Sequence, residues 1–65
     1  MQLVRNIKQV CKERNMTLAE VERAAGVSKR SIYRWDEKIP AYTKVLAVAN
    51  VLQVPVEELC REGGH

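Results

Sequence analysis

The stretch TLAEVERAAGVSKRSIYRWD, residues Thr17 to Asp36, decides the fold. Thr17 and Glu20 form the S/T-x-x-E pattern, in which a hydroxyl and a carboxyl each satisfy a free amide at a helix start, so a helix is predicted from Thr17 through about Ala25. Gly26 follows, a residue that takes positive φ cheaply and ends helices for that reason. Ser28 is then placed to accept from the amides of the next turn and to open another helix, Ser28 to Asp36. Ile32 and Trp35, spaced i and i+3, point inward in it, and Lys29, Arg30, Tyr33 and Arg34 point outward. The stretch reads as a helix, a tight turn and a second helix with a basic exposed side.

Upstream, Leu3, Val4, Ile7, Val10 and Cys11 have the spacing of one helical face, with Arg5, Lys8, Gln9 and Lys12 mostly elsewhere on the wheel. A first helix is predicted from Leu3 to Arg14, ending at Asn15. Downstream, Pro40 drives the preceding residue out of helical geometry, so Lys38 to Ala41 is a loop. A fourth helix is predicted from Tyr42 to Gln53, with Tyr42, Val45, Leu46, Ala49 and Leu52 on its inner stripe. Pro55 suits the first turn of a short fifth helix, in which Val56, Leu59 and Cys60 form a buried edge. Glu57 and Glu58 lie near its positive end and Arg61 near its negative end. No strand period or repeat appears. The expectation is a compact all-α chain of five short helices, with one domain over 1–62 and a flexible tail at 63–65.

Sixty-five residues, 46% hydrophobic and 29% charged, make an ordinary globular composition with room for one small core. Such a core contributes a net stability of roughly 3 to 5 kcal/mol. Phe is absent and the aromatics are Tyr33, Trp35 and Tyr42, so aliphatic side chains build most of the interior. Trp35 reads either as the largest core residue or as a stacking platform for bases; its inward pairing with Ile32 favours the core. Cys11 and Cys60 allow at most one bridge, far fewer than small secreted scaffolds carry, and they lie in no C-x-x-C or Cys/His cluster, so buried small hydrophobes in a reduced chain are expected over a metal or redox site. Leu3 and Val4 run straight into Arg5, no apolar run approaches a membrane span, and a cytoplasmic, nucleoid-associated protein is expected. His65 is terminal and the only histidine, and no catalytic set can be assembled around it. No catalytic or metal residues, cofactor, small-molecule ligand or enzymatic activity are expected.

The formal charge is +3 and the pI about 9.1. Residues 1–15 carry four basic side chains against one acidic, and residues 28–38 carry Lys29, Arg30, Arg34 and Lys38 against Asp36 and Glu37. The two remaining segments are each slightly acidic. This uneven distribution fits either a polyanion-binding face or solvated helix surfaces.

The layout over 17–36 is that of a helix-turn-helix motif. Together with the stretch Val45 to Leu59, it resembles the phage repressor and Cro family of DNA-binding domains, the XRE family, over nearly the whole chain from Leu3 to Leu59. The resemblance implies a lambda-repressor-like five-helix domain whose recognition helix, 28–36, enters the major groove of double-stranded DNA. It implies that Lys29, Arg30 and Arg34 reach base edges, with Ser28, Ser31 and Tyr33 at the flanks. Lys38 and Lys44 are better placed for phosphates, with plain solvation the alternative for both and the more so for Lys44. Tyr33 either packs on a sugar or a thymine methyl or covers the stem of a neighbouring arginine.

Three positions depart from the family pattern. Leu18 stands where relatives carry a phosphate-binding Gln. Glu22 stands where they carry a small Ala, and is expected either to turn to solvent or to reflect an imperfect register. Cys11 stands where many have an Arg paired with the Asp36 position, so Asp36 needs another partner or stays solvated. The expected function is sequence-specific transcriptional regulation, as a homodimer formed through the C-terminal half; the candidate surfaces are the fifth helix and the outer side of the fourth, where Val48 and Val51 read either as dimer contacts or as peripheral core. The competing reading is a protein-interaction module, such as an antitoxin, anti-repressor or adaptor, that keeps the fold without specific DNA binding. The absence of Gln at Leu18 is its best support.

Overall fold

A computed structural model describes residues 2–61. The proposed tail at 63–65, the boundary at 62 and His65 lie outside the described residues. Four α-helices and one 3-10 turn follow in order: α1 (Leu3–Glu13), α2 (Leu18–Ala25), the 3-10 turn (Ile32–Arg34), α3 (Tyr42–Leu52) and α4 (Val56–Cys60). Among the described residues there is no strand. The all-α reading holds; the count differs because the predicted third helix is not an α-helix.

Local chemistry sets the boundaries. The Thr17 hydroxyl accepts from the Glu20 N–H at 3.1 Å, and the Glu20 carboxylate accepts from the Thr17 N–H at 2.8 Å, completing the capping box. Thr17→Ala removes one arm and is expected to lower stability by about 1 kcal/mol, read as a fall of roughly 4 to 8 °C in the melting midpoint followed by circular dichroism. Three helices end on a left-handed residue: Asn15 after α1, Gly26 after α2 and Gln53 after α3. After α1, for example, the Met16 N–H donates to the Cys11 carbonyl and the Asn15 N–H to the Lys12 carbonyl, which supplies donors to acceptors of the last turn.

Three long-range bonds close the bundle. Asp36 Oδ1 accepts from the Val4 N–H at 3.2 Å, bringing a negative charge to the start of α1, whose own first turn has none. This is the partner that Asp36 finds in the absence of an arginine at Cys11. At the other end of the chain, Asn6 Nδ2 donates to the Leu59 and Arg61 carbonyls, capping α4 and tying it to α1. Pro55 stands at the N-cap of α4, one position earlier than predicted.

The core joins Leu3, Val4, Ile7, Val10 and Cys11 of α1 to Leu18 and Val21 of α2, Ile32 and Trp35, the inner side of α3, and Leu59. Burial pushes the Cys11 thiol up from its ordinary range, as befits a small core hydrophobe. Cys60 packs on the core edge. On α3 the buried stripe is Val45, Val48, Ala49 and Leu52, whereas Tyr42 is 65% exposed and Leu46 also reaches solvent. The predicted stripe is thus corrected by a rotation of the helix. The helix is apolar nearly all round, so spacing alone leaves its orientation open, and packing against α2 selects it. The same rotation buries Val48 completely, which removes it from any dimer surface, and leaves Val51 partly buried against the core.

Candidate nucleic-acid interface

Between α2 and α3 the chain makes an irregular excursion. Gly26 turns it with φ +75°, Lys29 and Arg30 form a turn in which Arg30 has φ +65°, and one 3-10 turn runs from Ile32 to Arg34 before the chain bends through Trp35, Asp36 and Glu37. The α-helix expected over Ser28–Asp36 is therefore replaced by a shorter, tighter segment. Its bonds are of the i to i+3 kind: Ser31 N–H to the Ser28 carbonyl, Arg34 N–H to Ser31 and Trp35 N–H to Ile32, each at 3.0 Å. Ile32 and Trp35 still point inward, because residues three apart share a face in a 3-10 turn.

The predicted cap is also reassigned. Ser28 contributes its carbonyl, and the carboxylate that accepts from this segment is that of Glu22: Oε1 takes the Arg30 N–H at 2.9 Å and Oε2 the Ile32 N–H at 3.3 Å. Glu22 is 3% exposed, which corrects the expectation that it faces solvent. No sequence signal links a carboxylate to amides eight and ten residues away.

Six of the seven candidate DNA-binding residues line one groove of about 430 Å³: Ser28, Lys29, Arg30, Ser31, Arg34 and Lys38. Trp35, Ile39, Pro40, Ala41 and Lys44 complete it. Five cationic side chains therefore surround one concavity with no acidic residue in its lining. That arrangement attracts a polyanion and offers donors to bases and phosphates alike. The Ser31 hydroxyl is buried without a hydrogen-bond partner among the described residues. Lys44 belongs to this concavity, which sequence reading left between a phosphate contact and plain solvation.

Tyr33 lies outside the groove, beside Arg30 and Arg34 in a second depression. It is exposed, and Lys8 Nζ sits 5.3 Å from its ring centroid, so Tyr33 carries a cation from α1. Lys8 thereby extends the basic surface beyond the motif. Leu18, buried at the start of α2, has no side-chain amide to offer a phosphate.

Arg30 is the one left-handed residue besides Asn15, Gly26 and Gln53 among the described residues, and unlike them it closes no helix. A side chain in this region costs about 1 to 2 kcal/mol. Arg30→Gly is expected to raise stability by up to about 1 kcal/mol, after the added freedom of the unfolded chain is counted, while weakening binding to duplex DNA. Paired melts and duplex titrations of the variant check both signs.

A family model described as helix-turn-helix matches residues 7–59, from within α1 to within α4. No curated protein and no solved structure matches the chain.

Proposed function

This chain belongs to the helix-turn-helix family of the phage repressor and Cro type, a family of DNA-binding regulators rather than of enzymes, and we propose that it binds a specific double-stranded DNA operator through the turn-rich segment Ser28–Lys38. The observation that carries this reading is the convergence of Lys29, Arg30, Arg34, Lys38 and Lys44 on one groove without an acidic neighbour in its lining. Arg30 and Arg34 supply the planar donors suited to guanine edges, and Lys38 and Lys44 supply point charges suited to phosphates. One short segment reads only a few base pairs, so the operator is two half-sites about 34 Å apart, occupied by a homodimer. None of the described helices is long and apolar enough to cross a membrane.

The competing interaction module draws on Leu18 and on the exposed apolar side chains of Ile39, Tyr42 and Leu46. Selection from random duplex oligonucleotides with the purified protein, at two salt concentrations, separates the readings. Recovery of a paired motif, with affinity falling steeply as salt rises, supports an operator-binding regulator. Recovery of no motif at either salt overturns it in favour of a protein partner.

A further inference from the structure

Glu22 is the one charged residue buried among the described residues. A carboxylate removed from water is costly unless its oxygens are satisfied, and here each oxygen accepts a backbone N–H of the turn that follows Gly26. The two amides, Arg30 and Ile32, flank Ser31, which stands at the start of the 3-10 turn with no side-chain cap of its own. The cap is delivered from the last part of α2, across eight and ten residues of chain. Among the described residues no side chain other than Glu22 bonds to the backbone between Gly26 and Ile32.

The position of the latch matters more than its strength. One of its bonds holds the backbone of Arg30, the residue in left-handed geometry, and the other holds Ile32, the first residue of the turn that carries Arg34. Alongside the core packing of Ile32 and Trp35, this carboxylate therefore ties the backbone that carries both arginines to α2. Base recognition by a guanidinium requires its fork to be held to within a fraction of an ångström and a few tens of degrees, whereas attraction to phosphates tolerates displacement.

We infer that Glu22 is a positioning residue that sets the angle at which Arg30 and Arg34 meet the bases, so that it governs sequence discrimination without touching DNA. This rests on the reading of the groove as a DNA interface. It separates two quantities that a merely stabilising residue would move together: preference for the operator, which depends on the latch, and affinity for arbitrary duplex, which depends on the cations.

The test uses the full chain with Glu22→Ala and Glu22→Gln, the duplex recovered by selection, and a scrambled duplex of the same length. Glu22→Ala is expected to weaken binding to the selected duplex about tenfold or more while changing affinity for the scrambled one by less than about twofold, with the salt slope unaltered. In the free protein, hydrogen exchange at the Arg30 and Ile32 amides is expected to accelerate about tenfold, with the amides of α1 unchanged. Glu22→Gln keeps the shape of the side chain but presents one acceptor in place of two. It is expected to release one of the two amides and to lose part of the preference, and it carries the test should the alanine variant fail to fold.

Wild-type preference that survives in the variants, or equal weakening on both duplexes, overturns the positioning role. Unchanged protection of both amides in Glu22→Gln overturns it as well. A wild-type chain that does not distinguish the two duplexes overturns the DNA reading itself, and the exchange measurement then shows separately whether the latch exists.

Discussion

Trp35→Ala is expected to leave the chain largely unfolded at 25 °C. Trp35 is 4% exposed and packs in the core, and truncating a buried tryptophan typically costs 3 to 5 kcal/mol through lost transfer energy and the cavity left behind. A single core of this size has a net stability of about the same amount. Urea titration followed by circular dichroism should show no cooperative transition for the variant, while Trp35→Phe, which retains a ring in the site, should keep one at a lower midpoint. The residue also links core to function, since the same side chain forms part of the wall of the cationic groove. A variant that melts within a few degrees of the wild type but loses DNA affinity would instead make Trp35 a stacking surface for bases.

Which features the sequence disclosed follows from how far each interaction reaches. The capping box of Thr17 and Glu20, the left-handed turn at Gly26 and the apolar face of α1 depend on neighbours within a turn, so their patterns are visible in one dimension. The inward placement of Ile32 and Trp35 was legible as well, but i, i+3 spacing is common to α and 3-10 geometry and could not distinguish them. What distinguishes them is the bond from Arg30 and Ile32 to Glu22, a tertiary contact in which the carboxylate substitutes for a local cap. The Asp36 bond to Val4, 32 residues away in sequence, was hidden for the same reason. On α3, hydrophobic side chains occupy both possible stripes, and only the packing on α2 decides that Val48 is core while Tyr42 faces solvent. Charge and resemblance single out the site residues one by one; their gathering around one groove, which also takes in Lys44 of α3, is a tertiary arrangement that neither signal contains.

Arg34→Ala is expected to lower affinity for the selected duplex by roughly 10- to 100-fold, the loss that accompanies removal of one bidentate contact worth about 1 to 3 kcal/mol. Its side chain is exposed and makes no ion pair among the described residues, so folding should be altered by less than about 0.5 kcal/mol. The contrast with Trp35 is diagnostic, since one substitution abolishes binding through unfolding and the other weakens it with the melt intact. Arg34→Lys sharpens the point: it keeps the charge but not the fork, so affinity for scrambled duplex should persist while preference for the selected one falls. Lys38→Ala and Lys44→Ala should behave in the opposite way, each reducing the salt slope by about one while leaving preference in place. Fluorescence anisotropy with both duplexes at several salt concentrations measures all four variants on one scale. Undiminished preference in Arg34→Ala would move base reading off the 3-10 turn, to Lys29 and Arg30 on the turn before it, and the groove would then hold the backbone rather than the bases.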